Sequence, residues 1–239
     1  FDTGPEPEIL KHNLAVLETN LKDIDAIVLS HGHWDHTGGL LEAIKMTKKR
    51  IPVICHPDAF NVKLSLKPKI RYSGIPYTIN EVKEYAQPIL IRNQIEIAPN
   101  IIATGEIPRR TTFEKIKGLK TIINRELTDD QMRDDQAIII KMKDGIIVIS
   151  GCAHAGIINT IKRAIEITKK EEIKAVIGGF HLIGAQDTRI DKTVEELKKM
   201  NIKRVMPGHC TGEKAMIKMA NNLKNRYRRI MAGDTITFT

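Results

Sequence analysis

Apolar side chains at Ile9, Leu10, Leu14, Leu17 and Leu21 recur at the spacing of an amphipathic helix and predict one over residues 8–20. Asp25 to Ser30 is a short apolar run that predicts a strand, Thr37 to Lys49 returns to helical spacing, and Ile51 to Cys55 predicts a second strand. The first third therefore reads helix–strand–loop–helix–strand. Its polar loop, residues 31–36, lies just past a strand's C-terminal end, where open α/β sheets place their ligands.

Residues 57–120 break this rhythm. They hold six of the ten prolines, several short β-like pieces and the basic pair Arg109-Arg110, and read as an active-site-covering insertion within a single domain spanning 1–239. Regular patterning resumes with apolar strands at Gln136–Met142 and Ile146–Ser150. Between them Asp144-Gly145 is a hairpin signal, because glycine accepts the positive φ of a tight turn. Helices follow near 157–169, 191–200 and 211–229, with strands at 175–177 and 204–206 and a last one at 235–238. Alternating strands and helices predict an α/β layered sandwich with the site along one edge of its sheets.

Composition refines this picture only modestly. Aromatics make up 4% of the 239 residues and apolar residues 41%, so the core is aliphatic and global disorder is excluded. The formal charge of +9 favours anionic partners such as phosphorylated metabolites. The basic residues are spread along helix faces, however, and nothing asks specifically for nucleic acid. Three cysteines, Cys55, Cys152 and Cys210, make no disulfide framework and suit a reducing, cytoplasmic setting. No apolar run is long enough to span a bilayer, and a homo-oligomer is compatible with the chain. Phe1-Asp2-Thr3-Gly4 reads like a strand end entering a turn, so further strands are expected N-terminal to it.

The chemistry concentrates in Ser30-His31-Gly32-His33-Trp34-Asp35-His36. Imidazole nitrogens and a carboxylate are the donors preferred by borderline divalent ions, above all zinc. In a tight loop His31 and His33 can point one way and Asp35 and His36 another, giving two adjacent metal sites. His154 and His209 each follow a predicted strand, as the first cluster does, and are further candidate ligands. Cys152 and Cys210 flank them and read either as ligands or as small buried apolar residues. His56 lines a pocket or a turn; Arg109 and Arg110 clamp a phosphate or sit solvated; Asp134-Asp135 terminate a strand.

In order and spacing, Asp2, the His31–His36 run, His154 and His209 resemble the motifs of the metallo-β-lactamase superfamily. The resemblance implies a four-layer αββα sandwich, here with its N-terminal strands absent or cut short, and one or two divalent metal ions, zinc first, with Mg or Mn as alternatives. It implies that His31, His33 and His154 hold one ion, that Asp35, His36 and His209 hold the other, and that Asp2 orients the histidine loop. One departure stands out. His181, in Gly-Gly-Phe-His-Leu, occupies the place of a bridging Asp, and a neutral imidazole does not bridge two cations. His181 is therefore a candidate ligand or a catalytic group facing substrate, and Asp35 is the other candidate catalytic residue.

The strings Ser-Gly-Cys-Ala-His-Ala-Gly-Ile, Gly-Gly-Phe-His-Leu and Pro-Gly-His-Cys-Thr-Gly are similar to an archaeal subgroup of methanopterin biosynthesis. That subgroup joins a dihydropterin methyl diphosphate to 4-(β-D-ribofuranosyl)aminobenzene 5′-phosphate and releases pyrophosphate. A metal-dependent transferase with phosphorylated small-molecule substrates is the implied function. The alternative is a hydrolase using a metal-bound hydroxide on a phosphodiester, lactone or thioester. A nuclease of the same superfamily ranks below both, since only a short basic tail follows His209.

Overall fold

Apolar runs between Ala137 and Gly208 build a six-stranded sheet in the order Arg204–Gly208, Ile173–Gly179, Gly145–Ser150, Ala137–Met142, Ile101–Ala103 and Ile95–Ala98. The first three of these strands are mutually parallel and the remaining pairings antiparallel. The structure, a computed structural model, describes residues 1–66, 68–200 and 202–238. It divides into two compact units, Phe1–Asn93 with Ile116–Gln136 and Gln94–Lys115 with Ala137–Thr239.

In the second unit both faces of the parallel strands are covered, which is why they read as continuous apolar runs rather than as alternation. Ile146, Val148, Ile173, Val176 and Val205 face the helices Ile157–Thr168, Asp187–Lys199 and Glu213–Leu223, which bury Ile158, Ile161, Ile190, Val194, Leu197 and Met219 against them. Ile147, Ala175, Ile177 and Met206 point the other way and are packed by Ile230, Ile236 and Phe238. Asp144-Gly145 forms the expected hairpin, with Met142 opposite Gly145 and Gly145 at φ 152°. Helix Ile157–Thr168 has no side-chain cap of its own at Gly156. Glu114 serves instead, its carboxylate accepting from the Ile158 and Asn159 N–H groups at 2.9 and 3.0 Å and from the Thr111 hydroxyl at 3.0 Å.

The first unit carries a parallel three-stranded sheet, Ile27–Val28, Pro52–Cys55 and Gln87–Leu90, and an antiparallel four-stranded one made of Arg71–Tyr72, Lys63–Ser65, Leu119–Ile123 and Glu126–Asp129. Its core gathers Leu29, Leu40, Ile44, Val53 and Val82, with Leu10 and Leu14 of helix Pro7–Val16 laid against them. The stretch 57–120 contributes strands to all three sheets.

The first helix ends at Val16 and the strand expected over 25–30 narrows to Ile27–Val28, and two further segments near the C-terminus differ from their sequence pattern. Residues 235–238 form no strand; Ile236 and Phe238 are held by side-chain packing, with the Arg204 guanidinium 5.6 Å from the Phe238 ring centroid. The helix expected to run to 229 ends at Leu223, where Lys224 turns to φ 51°. Among the described residues no helix is long and apolar enough to cross a membrane.

Candidate metal centre

The histidine loop of the first unit is organised by Asp2. This residue accepts from the Ser30 N–H and the Ser30 hydroxyl, both at 2.7 Å, and pairs with His36 Nδ1 at 2.7 Å. The Ser30 hydroxyl spends its only proton on Asp2, so at 2.8 Å from His31 Nδ1 it accepts from that ring. Both His31 and His36 thus carry their proton on Nδ1 and present Nε2 as a lone-pair nitrogen. His31 Nε2 faces His33 Nδ1 at 3.0 Å, and His36 Nε2 lies 3.7 Å from Asp35 Oδ2. The His31 ring centroid is 4.6 Å from that of His33 and 4.3 Å from that of His36. Burial, helped by the Lys63 ammonium, pushes the His33 pKa down to about 3 and keeps it neutral at physiological pH. A neutral His33, with His31 and His36 rings held at Nδ1 by Ser30 and Asp2 and a carboxylate beside them, is a donor set that fits a borderline divalent ion.

The backbone of this loop leaves no room for variation at Gly32. A Cβ there would lie 2.0 Å from the Ala59 carbonyl oxygen. The Gly32 N–H donates to Asp134 Oδ2 at 2.8 Å, and Asp134 Oδ1 accepts from the Lys63 ammonium at 2.9 Å. Lys63 also donates to Asp130 at 3.0 Å and is itself 2% exposed. Asp134, which read as a strand terminator, is therefore the group beneath the histidine loop.

In the second unit the donors come from strand ends. Cys152, His181 and Cys210 each stand two residues past the end of a parallel strand, at Ser150, Gly179 and Gly208, and these strands are sheet neighbours. The His154 and His181 ring centroids are 4.1 Å apart, whereas His209 is exposed. Ala153, His181 and His209 adopt positive φ of 52°, 44° and 46°, the kind of backbone strain that gathers at functional sites. A hydrogen bond from Cys152 and the neighbouring His181 bring the Cys210 pKa down to about 4 against the opposing effect of burial. In contrast, burial raises the Cys55 thiol to about 12.

The remaining candidates have local duties. His56 Nδ1 accepts from the Asp58 N–H at 3.0 Å, capping a short 3₁₀ turn. Arg110 is ion-paired to Glu166, and Arg109 donates to the Ile107 carbonyl at 2.8 Å.

These features define an enzyme class. Residues 1–106 match the family model described as the β-lactamase superfamily domain, and the chain belongs to the metallo-β-lactamase superfamily, sharing its α/β fold. More particularly, it is 38% identical over 248 residues to the 7,8-dihydropterin-6-methyl-4-(β-D-ribofuranosyl)-aminobenzene-5′-phosphate synthase of Methanocaldococcus jannaschii, covering 100% of this chain and 83% of the relative. A second protein of that organism, MJ0448, is 36% identical across 92% of this chain and 81% of its own length. The crystal structure of Tm1679, described as a metal-dependent hydrolase of the β-lactamase superfamily, superposes with a TM-score of 0.87 at 30% identity, covering 100% of this chain and 88% of that one. Relatives and fold together make the chain an enzyme, transferase-like or hydrolase-like.

Proposed function

We propose that the protein is a metal-dependent transferase that joins a dihydropterin methyl diphosphate to 4-(β-D-ribofuranosyl)aminobenzene 5′-phosphate. The observation that carries this reading is 38% identity, over the whole chain, to a synthase of that product class. The ligands we assign are His31, His33, Asp35, His36, His154 and His209, with zinc the ion of choice for such donors. When bound, the metal supplies Lewis acidity toward the diphosphate.

The protein's own residues do the rest. Asp2 and Ser30 hold the His31 and His36 rings in the tautomer that leaves Nε2 for ligation. In the reaction a C–N bond forms at the exocyclic methylene, the C–O bond to the diphosphate breaks, and pyrophosphate departs. His181 donates a hydrogen bond to a phosphate oxygen as charge builds there. Asp35, with 34% of its side chain exposed, takes the proton lost by the arylamine nitrogen. The formal charge of +9 suits two anionic substrates.

The test is incubation of the zinc-loaded protein with both substrates, following coupled product by chromatography and pyrophosphate enzymatically. Equimolar appearance of the two is expected. No coupled product, alongside turnover of a simple phosphodiester, would favour the second reading, hydrolysis. That reading draws on the likeness to Tm1679, described as a hydrolase.

A further inference from the structure

We infer that Cys152, His181 and Cys210 form a ligand set of two sulfurs and one nitrogen for a zinc-class divalent ion, in addition to the histidine and aspartate ligands assigned above. The inference does not depend on the coupling reaction. It starts from the sheet. Three adjacent parallel strands stop at Ser150, Gly179 and Gly208, and each places a potential ligand two residues later. One donor atom from each of the three residues lies within 4.8 Å of the other two. Gly179 makes this approach possible, since a Cβ there would come 2.8 Å from the Cys210 sulfur and 3.2 Å from the Cys152 Cα.

The surroundings also lack the features of ordinary core cysteines. A buried apolar thiol needs only aliphatic neighbours. Here Cys210 Sγ sits 3.7 Å from the Cys152 carbonyl oxygen, and both thiols are unoxidised. His181 Nδ1 is buried and makes no hydrogen bond to any described residue. Two thiolates and an imidazole are donors of the structural and catalytic zinc type, with a fourth position open. The ion binds the thiolate forms, and any proton still held on either sulfur leaves to solvent as the metal–sulfur bond forms. His181 ligates through one ring nitrogen and keeps the other for a phosphate oxygen, so its proposed contact with substrate survives.

Cobalt(II) titration of the reduced protein tests this directly. The expected result is a near-ultraviolet sulfur-to-cobalt charge-transfer band that saturates with added metal. Cys152→Ser and Cys210→Ser should each remove roughly half of it, while Cys55→Ala should leave it unchanged. In the zinc-loaded protein, X-ray absorption should show a sulfur shell at about 2.3 Å beside the nitrogen shell at about 2.0 Å. Visible cobalt bands without the charge-transfer band would overturn the thiolate set and leave the histidine–aspartate ligands standing. Absence of both would overturn the two together. A charge-transfer band that persists at full height in both serine variants would likewise overturn the assignment. The wild-type band tests thiolate ligation and Cys55→Ala assigns it to the other two of the three cysteines, so a serine variant that failed to fold would not blur the answer.

Discussion

Replacing Lys63 with Met removes the cation that two carboxylates and the histidine loop share. Lys63 Nζ donates to Asp134 at 2.9 Å and to Asp130 at 3.0 Å, and the lysine and Asp134 side chains are 2% and 0% exposed. At an effective dielectric of about 20, each contact is worth roughly 5–6 kcal/mol before desolvation is subtracted. Taking three charges out of water offsets most of that, at several kcal/mol per ion. Removing only the lysine forfeits the attraction while leaving Asp134 buried, so a loss of about 3–5 kcal/mol in unfolding free energy is expected. Urea denaturation of the metal-free protein measures it. Asp130, 9% exposed on its side chain, provides the internal comparison, since the Gly32 N–H donates to Asp134. Asp130→Asn should cost clearly less than Asp134→Asn, which also weakens the acceptor for the Gly32 N–H. The Lys63→Met/Asp134→Asn double variant should recover part of the single-variant loss, because no uncompensated charge remains at that pair. A loss under about 1 kcal/mol for Lys63→Met, or equal losses at the two aspartates, would refute the reasoning.

Burial lowers the Lys63 pKa, but Asp134 and Asp130 more than offset it, leaving the ammonium above its ordinary range. Its stabilisation is therefore complete below that range and lost as pH rises through the native value. The wild type and Lys63→Met should converge in strongly alkaline solution, as thermal melts across pH will show. Asp2→Ala frees the His36 and Ser30 hydrogen bonds and should weaken metal affinity about 10–100-fold, measured by competition with a chromophoric chelator. Gly32→Ala sets a methyl against the Ala59 carbonyl and should cost about 1–3 kcal/mol or more, read as a lowered Tm. Glu114→Ala exposes the helix start at Ile158 and Asn159 and should cost about 1–3 kcal/mol. Burial holds the Glu114 pKa above its usual value, so its contribution is full at low pH and falls as pH rises through that value, and a pH series of urea melts on Glu114→Gln should lack this fall.

Much of this arrangement is legible in the chain because the signals are local. The hairpin at Asp144-Gly145 needs only a glycine at positive φ, and the strands before His154 and His209 announce themselves as apolar runs. The His31–His36 run is dense enough to carry its chemistry without context. What escaped is set by partners distant in sequence. Asp134 looks like a strand terminator until Lys63 arrives from 71 residues away and the Gly32 N–H from 102. Alternation misleads here: with Val62 and Leu64 on either side, Lys63 reads as the outward-facing residue, yet it is buried and Val62 is exposed. Glu114 caps a helix through the Ile158 N–H, 44 residues further along the chain, so no capping pattern near Gly156 reveals it. The missing strand at 235–238 is the converse case: Ile236 and Phe238 alternate correctly, yet packing alone satisfies them.

The shared offset of Cys152, His181 and Cys210 also sets a ruler. Neighbouring strands stand about 4.8 Å apart because amide hydrogen bonds have one preferred length. The strand ends at Ser150, Gly179 and Gly208 inherit that spacing from the sheet, so the outer two start about 9.6 Å apart, and Cys152 and Cys210 come within 4.8 Å only because the residues past those ends converge on the middle strand. Lengthening or exchanging the helices between the strands can therefore remodel what lies above the site while its floor keeps the same dimensions.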